Sequence, residues 1–270
     1  MILPRSYLFV PGDRPERFLK ALASGAHQVV IDLEDAVNPD AKEVARAALR
    51  DWLADAAPGT RVCVRVNGAQ TEWHDDDLAL AALPAVQSVM LPKTESASMV
   101  RAVKARLSAC QPLLALVESV SGVLALREIV QSGMVARVAF GSVDFCTDAG
   151  MQDLDGALDA VRTAIVLESR YAGLPAPIDG VSTAIAEVDS ILSDVTRARA
   201  LGFGAKLCIH PKQVPSVNAG FLPSTIERTW AKRVVEAIAA GAHGAIAVDG
   251  KLIDKPLIDQ ARTILAQPEA

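Results

Sequence analysis

Short runs of apolar, β-favouring residues recur along the chain, and each is followed by a segment with helical periodicity. Several runs are continuously apolar rather than alternating, which is typical of parallel strands that are covered on both faces. The mean repeat is roughly 28 residues, close to the length of the βα unit of a (β/α)8 barrel. The eight runs are Tyr7–Val10, Gln28–Leu33, Arg61–Val66, Ser88–Leu91, Leu113–Val117, Arg137–Phe140, a weak run at Ala176–Ile178, and Ala205–Ile209.

This spacing predicts an α/β fold, a (β/α)8 TIM barrel that occupies residues 1–222. The rival architecture is a doubly wound open sheet, which usually has five or six strands and needs no eighth repeat. The longest helix is predicted from Leu154 to Ala172, because Gly173 and Pro175 stop the helical pattern there.

Residues 223–270 continue from the eighth run without a Gly/Ser linker, and they predict a helix–hairpin–helix extension. Ser224–Ala240 is an amphipathic segment. Ala245–Ile253 is typical of a β-hairpin with a two-residue turn at Asp249-Gly250, and a last helical segment follows it. We expect the extension to pack on the barrel or on a neighbouring subunit.

Composition narrows the class of protein. The 27 basic and 32 acidic residues give a net charge of −5, which argues against a nucleic-acid binder. No apolar stretch approaches the length of a membrane span or a signal peptide core, so we predict a cytoplasmic protein with no membrane partner. The cysteines are scattered without a CxxC pair, which favours reduced thiols over a zinc site.

Ionisable residues follow nearly every predicted strand. The carboxyl ends of the strands are where reactive groups lie in a (β/α)8 barrel. Such groups are costly beside buried strands unless they face a common polar site, so we predict a functional site at this end. The residues are Asp32, Glu34, Asp35, Arg65, Lys93, Glu118, Asp144, Asp179 and His210.

Glu118 and Asp144 follow adjacent strands, so their carboxylates are expected to approach one ion. Two carboxylates without a nearby His or Cys suit Mg2+, which prefers oxygen ligands. The alternative is that Glu118 belongs to a loop before a helix and that Asp144 caps the next helical segment. Arg65 is either a fork for a substrate carboxylate or the partner of Glu34 or Asp35 in a salt bridge. His210 is either a base or a residue that only packs.

An ordered set of motifs runs along the chain: RSYLFVPG from Arg5, DLEDAV from Asp32, RVN from Arg65, LPK from Leu91, ES from Glu118, GSVD from Gly141, DG from Asp179, IHP from Ile209 and DGKLID from Asp249. This set resembles the citrate lyase beta-subunit-like family, which also contains malyl-CoA and citramalyl-CoA lyases. The resemblance runs from residue 5 to about residue 262. The chain departs from the family's pattern at Val143, where an acidic residue often precedes the second metal ligand.

The resemblance implies a TIM barrel and a functional role for seven residues. It identifies Glu118 and Asp144 with the two Mg2+ ligands, and it implies a homo-oligomer, a trimer or hexamer, in which Asp249 reaches a neighbouring active site. The implied substrate-binding residues are Arg65, Glu118, Lys93, Glu34 and Asp35. The implied catalytic residues are Arg65, Glu118 and Asp249.

The expected function is therefore Mg2+-dependent cleavage of a carbon–carbon bond in a 3-hydroxyacyl-CoA thioester of the citramalyl-CoA or malyl-CoA type. The products would be a 2-oxo acid and acetyl-CoA. The alternatives are the citrate lyase beta subunit, which acts on a citryl thioester of an acyl-carrier protein, and a pyruvate aldolase that acts on free acids. From a different class, a non-catalytic binding module would keep the barrel and a metal.

Overall fold

The first part of the chain folds into a closed barrel of eight parallel strands in sequential order. The computed structural model describes residues 3–57, 59–154, 156–185, 187–239, 246–248 and 250–268. Each strand pairs with its neighbour in the chain, and β1 pairs with β8 to close the barrel. The strands are β1 Ser6–Pro11, β2 Gln28–Asp32, β3 Val62–Arg65, β4 Ser88–Leu91, β5 Leu113–Val117, β6 Arg137–Phe140, β7 Ile178–Asp179 and β8 Ala205–Cys208.

Helices connect the strands on the outside of the barrel, as the apolar runs covered on both faces predict. Short 3-10 turns precede α1, α2 and α10. The helices of this part are α1 Phe18–Leu22, α2 Lys42–Ala54, α3 His74–Ala81, α4 Ala97–Lys104, α5 Val120–Leu124, α6 Leu126–Gln131, α7 Ser142–Ala149, α8 Asp159–Tyr171, α9 Val188–Leu201 and α10 Val214–Gly220.

Side chains from every strand fill the interior of the barrel, so the barrel is a packed core rather than a pore. Because side chains alternate between the two faces of a strand, these residues also identify which later position in each strand points inward. The interior residues are Tyr7, Val30, Cys63, Met90, Leu114, Leu116, Ala139, Ile178, Ala205 and Leu207, with Phe9 and Val181 packed against them.

The chain divides into two compact units, residues 1–218 and 219–270. The second unit contains α11 Thr225–Ala239, the antiparallel hairpin of β9 Ile246–Val248 and β10 Lys251–Ile253, and α12 Lys255–Ala266. This is the predicted order of helix, hairpin and helix. The prediction that the extension packs on the barrel or on another subunit stays a prediction. Within the described residues, no helix has both the length and the apolarity needed to cross a membrane.

The helix predicted from Leu154 begins five residues later, at Asp159. Gly156 has a positive φ of 79°, and its carbonyl accepts a hydrogen bond from the Asp159 amide in a turn. A residue with this backbone conformation cannot continue a right-handed helix, so the helix starts after it. With 13 residues, α8 is also shorter than α11, which has 15.

Candidate active site

Strand geometry brings three of the predicted residues to one mouth of the barrel. Val30, Cys63 and Leu116 point into the interior, so the side chains two positions later point inward as well, at the carboxyl ends of the same strands. Those side chains are Asp32, Arg65 and Glu118, which are 1%, 8% and 2% exposed.

Arg65 is held by a carboxylate on the neighbouring strand. Its Nε lies 2.7 Å from Asp32 Oδ1 and its Nη2 lies 2.6 Å from Asp32 Oδ2, a bidentate pair between residues in register. Its Nη1 lies 3.1 Å from Glu34 Oε2, an ion pair without hydrogen-bond geometry. Burial lowers the pKa of Arg65, but the charge and hydrogen bonds of Asp32 outweigh burial and raise it. The guanidinium is therefore fixed and charged, with Nε and Nη2 on Asp32 and Nη1 beside Glu34.

Glu118 is a buried carboxylate with one oxygen unpartnered. Its Oε1 accepts a 2.7 Å hydrogen bond from the backbone amide of Lys93, whereas its Oε2 has no partner. Burial raises the pKa of Glu118 to about 8, with further contributions from the charges of Glu34 and Asp144. A Cβ at Gly141 would stand 2.5 Å from this free oxygen and still closer to the Cβ of Glu118, so only glycine leaves room for the carboxylate.

Asp144 lies in the first turn of α7, which begins directly after β6. The N-cap of that helix is Gly141 rather than Asp144, and no side-chain hydrogen bond is made at the cap. Asp144 and Glu118 line the same small cavity of about 60 Å3 at the barrel mouth. The lining residues are Phe9, Arg65, Leu116, Glu118, Gly141, Ser142, Val143, Asp144, Val181 and Leu207.

These residues fit a divalent cation. The buried Oε2 of Glu118 has no hydrogen-bond partner. Burial, together with the charges of Glu34 and Asp144, raises the pKa of Glu118, and a bound cation would reverse this shift. Across the described parts of the chain, no group of three or more His, Cys, Asp or Glu side chains is placed to hold a metal ion. A cation here would therefore rely on two carboxylates, with water or substrate oxygens in its other positions.

Lys93 links the acidic side chains at the mouth. Its Nζ donates a hydrogen bond to Glu34 Oε1 and lies 3.8 Å from Asp35 Oδ2. Burial raises the pKa of Glu34 despite the nearby charges of Arg65 and Lys93, which act to lower it. Among the described residues, Lys93 is the one non-glycine residue with a positive φ, at 47°. Strained backbone of this kind is typical of functional sites, and here it points the Lys93 amide at Glu118.

Two other strand-end residues lie away from the cavity. Asp179 follows Ile178, which points into the barrel, so Asp179 points outward. There it is fully buried and pairs with Arg162 at 2.9 Å and Lys206 at 3.0 Å. His210 does not line this cavity, and its Nδ1 accepts a hydrogen bond from the Lys212 amide as the cap of a 3-10 turn. Asp249 lies outside the described residues.

A second, larger cavity of about 350 Å3 adjoins the mouth. Phe9 lines both cavities, and the second one also contains the basic side chains Arg17, Lys20 and His210. A cavity of about 410 Å3 formed by the segments 82–87 and 108–111 lies at the amino ends of the strands, away from the carboxylates. The cavity lined by Arg17, Lys20 and His210, called the basic cavity below, shares Phe9 with the mouth and can therefore serve a ligand bound there.

Sequence reasoning placed Asp32 at a strand end but did not pair it with Arg65, and it gave Asn67 no role. Asp32, rather than Glu34 or Asp35, is the bidentate partner of Arg65. Counting the inward positions of β2 and β3 would have found this pair, because Val30 and Asp32 share a face with Cys63 and Arg65. Asn67, which follows β3, bonds to the backbone of the loop after β2 and carries no such signal in the sequence.

A closed eight-stranded parallel barrel with charged side chains gathered at the carboxyl ends of its strands defines a TIM-barrel enzyme. Residues 5–211 match the HpcH/HpaI aldolase/citrate lyase family, and the chain belongs to that family.

Similar proteins cover nearly the whole chain. A citrate lyase subunit beta-like protein of Deinococcus radiodurans is 38% identical, over 98% of this chain and 97% of that protein. The (3S)-malyl-CoA thioesterase of Cereibacter sphaeroides is 35% identical, over 98% of this chain and 95% of that protein. The crystal structure of protein CitE from Mycobacterium tuberculosis, in complex with magnesium, acetoacetate and coenzyme A, matches with a TM-score of 0.85 and 35% identity over 97% of each chain.

These likenesses confirm the predicted family, the TIM barrel and the enzyme class, which is lyase. The predicted cofactor agrees with the magnesium in the CitE structure. The roles of the individual site residues, the boundary at residues 222 and 223, and the homotrimer stay predictions.

Proposed function

We propose that the protein is a Mg2+-dependent lyase that cleaves a 3-hydroxyacyl-CoA thioester of the malyl-CoA or citramalyl-CoA type to a 2-oxo acid and acetyl-CoA. The observation that carries this proposal is the buried carboxylate of Glu118, whose free oxygen shares a cavity with Asp144 and Arg65. A hydroxy acid or 2-oxo acid presents two adjacent oxygens to a cation and a carboxylate to an arginine, so its head group matches this arrangement.

Each mouth residue has a distinct role in the proposal. Glu118 and Asp144 hold Mg2+, which supplies Lewis-acid chemistry and a template when it is bound. Arg65 uses the Nη1–Nη2 end of its guanidinium for the substrate carboxylate, because Asp32 already takes the Nε–Nη2 edge. Lys93 holds Glu34 in place and brings positive charge to the mouth, where it would stabilise a developing enolate oxygen.

The proton at the substrate hydroxyl needs a base, and we propose Asp249 for this role. Asp249 matches the aspartate that the family presents on the segment after the barrel. In our proposal it comes from a neighbouring subunit of a cytoplasmic homo-oligomer, a trimer or hexamer. Strands β9 and β10 pair in antiparallel order, with Val248 opposite Lys251.

The basic cavity supports coenzyme A as the carrier of the acyl group. Arg17, Lys20 and His210 would bind the phosphates of the nucleotide end, while the thioester reaches the mouth past Phe9. A pyruvate aldolase that acts on free acids would have no need of this cavity.

Substituting Arg17→Gln together with Lys20→Gln is expected to raise the KM for acetyl-CoA about tenfold, because charge-assisted contacts to phosphate are lost. The KM for the 2-oxo acid should not change. Steady-state kinetics of the condensation reaction measures both constants. Arg14→Gln is a matched control, since Arg14 is on the same segment and does not line the cavity. An equal rise in both KM values would contradict coenzyme A binding here.

The test of the proposed function is a condensation assay with acetyl-CoA and pyruvate, glyoxylate or oxaloacetate, with and without Mg2+. We expect Mg2+-dependent formation of citramalyl-CoA or malyl-CoA, identified by mass spectrometry. Citryl-CoA alone would favour the citrate lyase beta subunit. Release of free coenzyme A from malyl-CoA without glyoxylate would show a thioesterase, the activity named for one relative. No thioester product from any of the three acids would overturn the proposal.

A further inference from the structure

Lys42, the first residue of α2, has a buried ammonium group that bonds the loop leading into the active site. It is 5% exposed, and its Nζ donates three 2.7 Å hydrogen bonds, to Leu33 O, Glu34 O and Asn67 Oδ1. The ring of Trp73 lies 5.2 Å away, within cation–π range. All three donors of the ammonium are thus used, two of them on consecutive carbonyls of the loop after β2.

The same loop is held from its other side by Asp32. The oxygens of that carboxylate accept hydrogen bonds from the amides of Glu34, at 2.9 Å, and Ala36, at 3.0 Å, while they also bond Arg65. Lys42 thus binds the carbonyls of Leu33 and Glu34, and Asp32 binds the amides of Glu34 and Ala36. Together these bonds fix the orientation of the Glu34 backbone. In that orientation the Glu34 side chain meets both Arg65 and Lys93.

Asn67 ties the Lys42 ammonium to the barrel scaffold. Its Nδ2 donates to Leu33 O at 2.8 Å and to Asp77 Oδ2 at 2.5 Å, and its backbone amide donates to the same Asp77 oxygen at 2.8 Å. Asp77 is fully buried in α3 and pairs with Arg46 on α2 at 3.2 Å. The loop is therefore anchored to two helices and two strands through one buried polar network.

We propose that Lys42 is a positioning residue of the active site: by clamping the carbonyls of Leu33 and Glu34 it fixes the Glu34 carboxylate against Arg65. This inference rests on the proposed function, because Arg65 and Glu34 are placed there to receive a 2-oxo acid. A methionine at the same position would fill the space without a buried charge, whose desolvation is costly. The buried ammonium of Lys42, unlike a methionine, holds two carbonyls of the loop in fixed directions through hydrogen bonds.

The chain offers a matched control. Lys104, at the end of α4, also donates three hydrogen bonds from its Nζ, and all three go to backbone carbonyls: Ser108 O and Ala109 O at 3.1 Å, and Gln111 O. That loop precedes β5, so it lies at the amino ends of the strands, away from the mouth. Lys104→Met removes the same number of hydrogen bonds, three, without touching the loop after β2.

The experiment compares Lys42→Met, Lys104→Met and the wild type by three measurements. They are thermal melting, amide hydrogen exchange over residues 33–37, and calorimetric titration of pyruvate at saturating Mg2+. We expect both variants to fold and to melt at lower temperature. Only Lys42→Met should exchange faster over residues 33–37, and only it should bind pyruvate about tenfold more weakly, as is common when a ligand's supporting partner is removed.

Two results would overturn the inference: unchanged exchange over residues 33–37 in folded Lys42→Met, or pyruvate affinity within twofold of the wild type. Failure of the proposed function looks different, because the wild type itself would then bind none of the three 2-oxo acids in the presence of Mg2+. In that case the exchange measurement still decides whether Lys42 holds the loop.

Discussion

Glu118→Gln is expected to lower Mg2+-dependent condensation by more than about a thousandfold, on the order of 4 kcal/mol, because the amide cannot replace an anionic metal ligand. Glutamine keeps the shape of the side chain and can still accept the Lys93 amide through its oxygen, so the barrel should remain intact. Condensation of pyruvate with acetyl-CoA at saturating Mg2+ measures the loss. Activity near the wild-type level would remove Glu118 from the metal site.

Because the pKa of Glu118 is raised, the stability of the wild type and that of Glu118→Gln should depend differently on pH. In the metal-free protein the folded state keeps a proton on Glu118 up to a pH of about 8, whereas the unfolded chain loses it near the ordinary glutamate value. Because the folded state binds more protons in that window, this residue makes stability fall as pH rises through it. Metal-free melting temperatures of the wild type should therefore fall toward pH 8 relative to those of Glu118→Gln.

Magnesium binding must displace the same proton. The apparent Mg2+ affinity of the wild type should therefore rise with pH up to about 8, with close to one proton released per ion. Calorimetric titration of Mg2+ in two buffers of different ionisation enthalpy measures that proton. A pH-independent affinity, with no proton released, would contradict the assignment of Glu118 as a ligand.

Arg65→Lys is expected to lower the rate of condensation about a hundredfold, chiefly through a higher KM for the 2-oxo acid. A lysine offers a point charge and cannot hold Asp32 through two parallel bonds while it also receives a substrate carboxylate. Kinetics of the condensation with pyruvate, together with thermal melting, separates binding from folding.

Arg162→Lys is the matched control for Arg65→Lys. Arg162 is also buried and also pairs with an aspartate through two nitrogens, at 3.1 Å and 2.7 Å from Asp153, but it does not line the mouth cavity. It should lower the melting temperature without a selective change in KM. If Arg65→Lys behaves like this control, Arg65 is a structural partner of Asp32 and its role in substrate binding is wrong.

Sequence reasoning succeeded where a single strand carries a strong apolar pattern. The predicted bounds of β4, β5 and β6 are those of the structure. The weak run near Ala176 became a strand of only two residues, Ile178–Asp179, because Pro175 and Pro177 cannot donate backbone hydrogen bonds to a ladder. The strand order followed from the repeat alone, since consecutive βα units place each strand beside the last.

The predicted site was too broad because proximity to a strand end does not say which way a side chain points. The side chains of Glu118 and Arg65 point into the barrel mouth. Asp179 follows the inward-pointing Ile178, so its side chain points outward, where it is buried against Arg162. The Lys42–Asn67 network was out of reach, since its partners are 25 residues apart and meet only after two βα units have packed.

Gly141 lies so close to Glu118 that a single added methyl group would disturb the candidate metal site. Alanine at position 141 would substitute no ionisable residue, yet its Cβ would clash with the Cβ and the free oxygen of Glu118. Gly141→Ala would therefore inactivate the site by displacing the Glu118 carboxylate, although residue 141 has no reactive group of its own. This inactive variant would keep the net charge of the natural protein. It would therefore serve as a control in experiments that have to distinguish ligand binding from turnover.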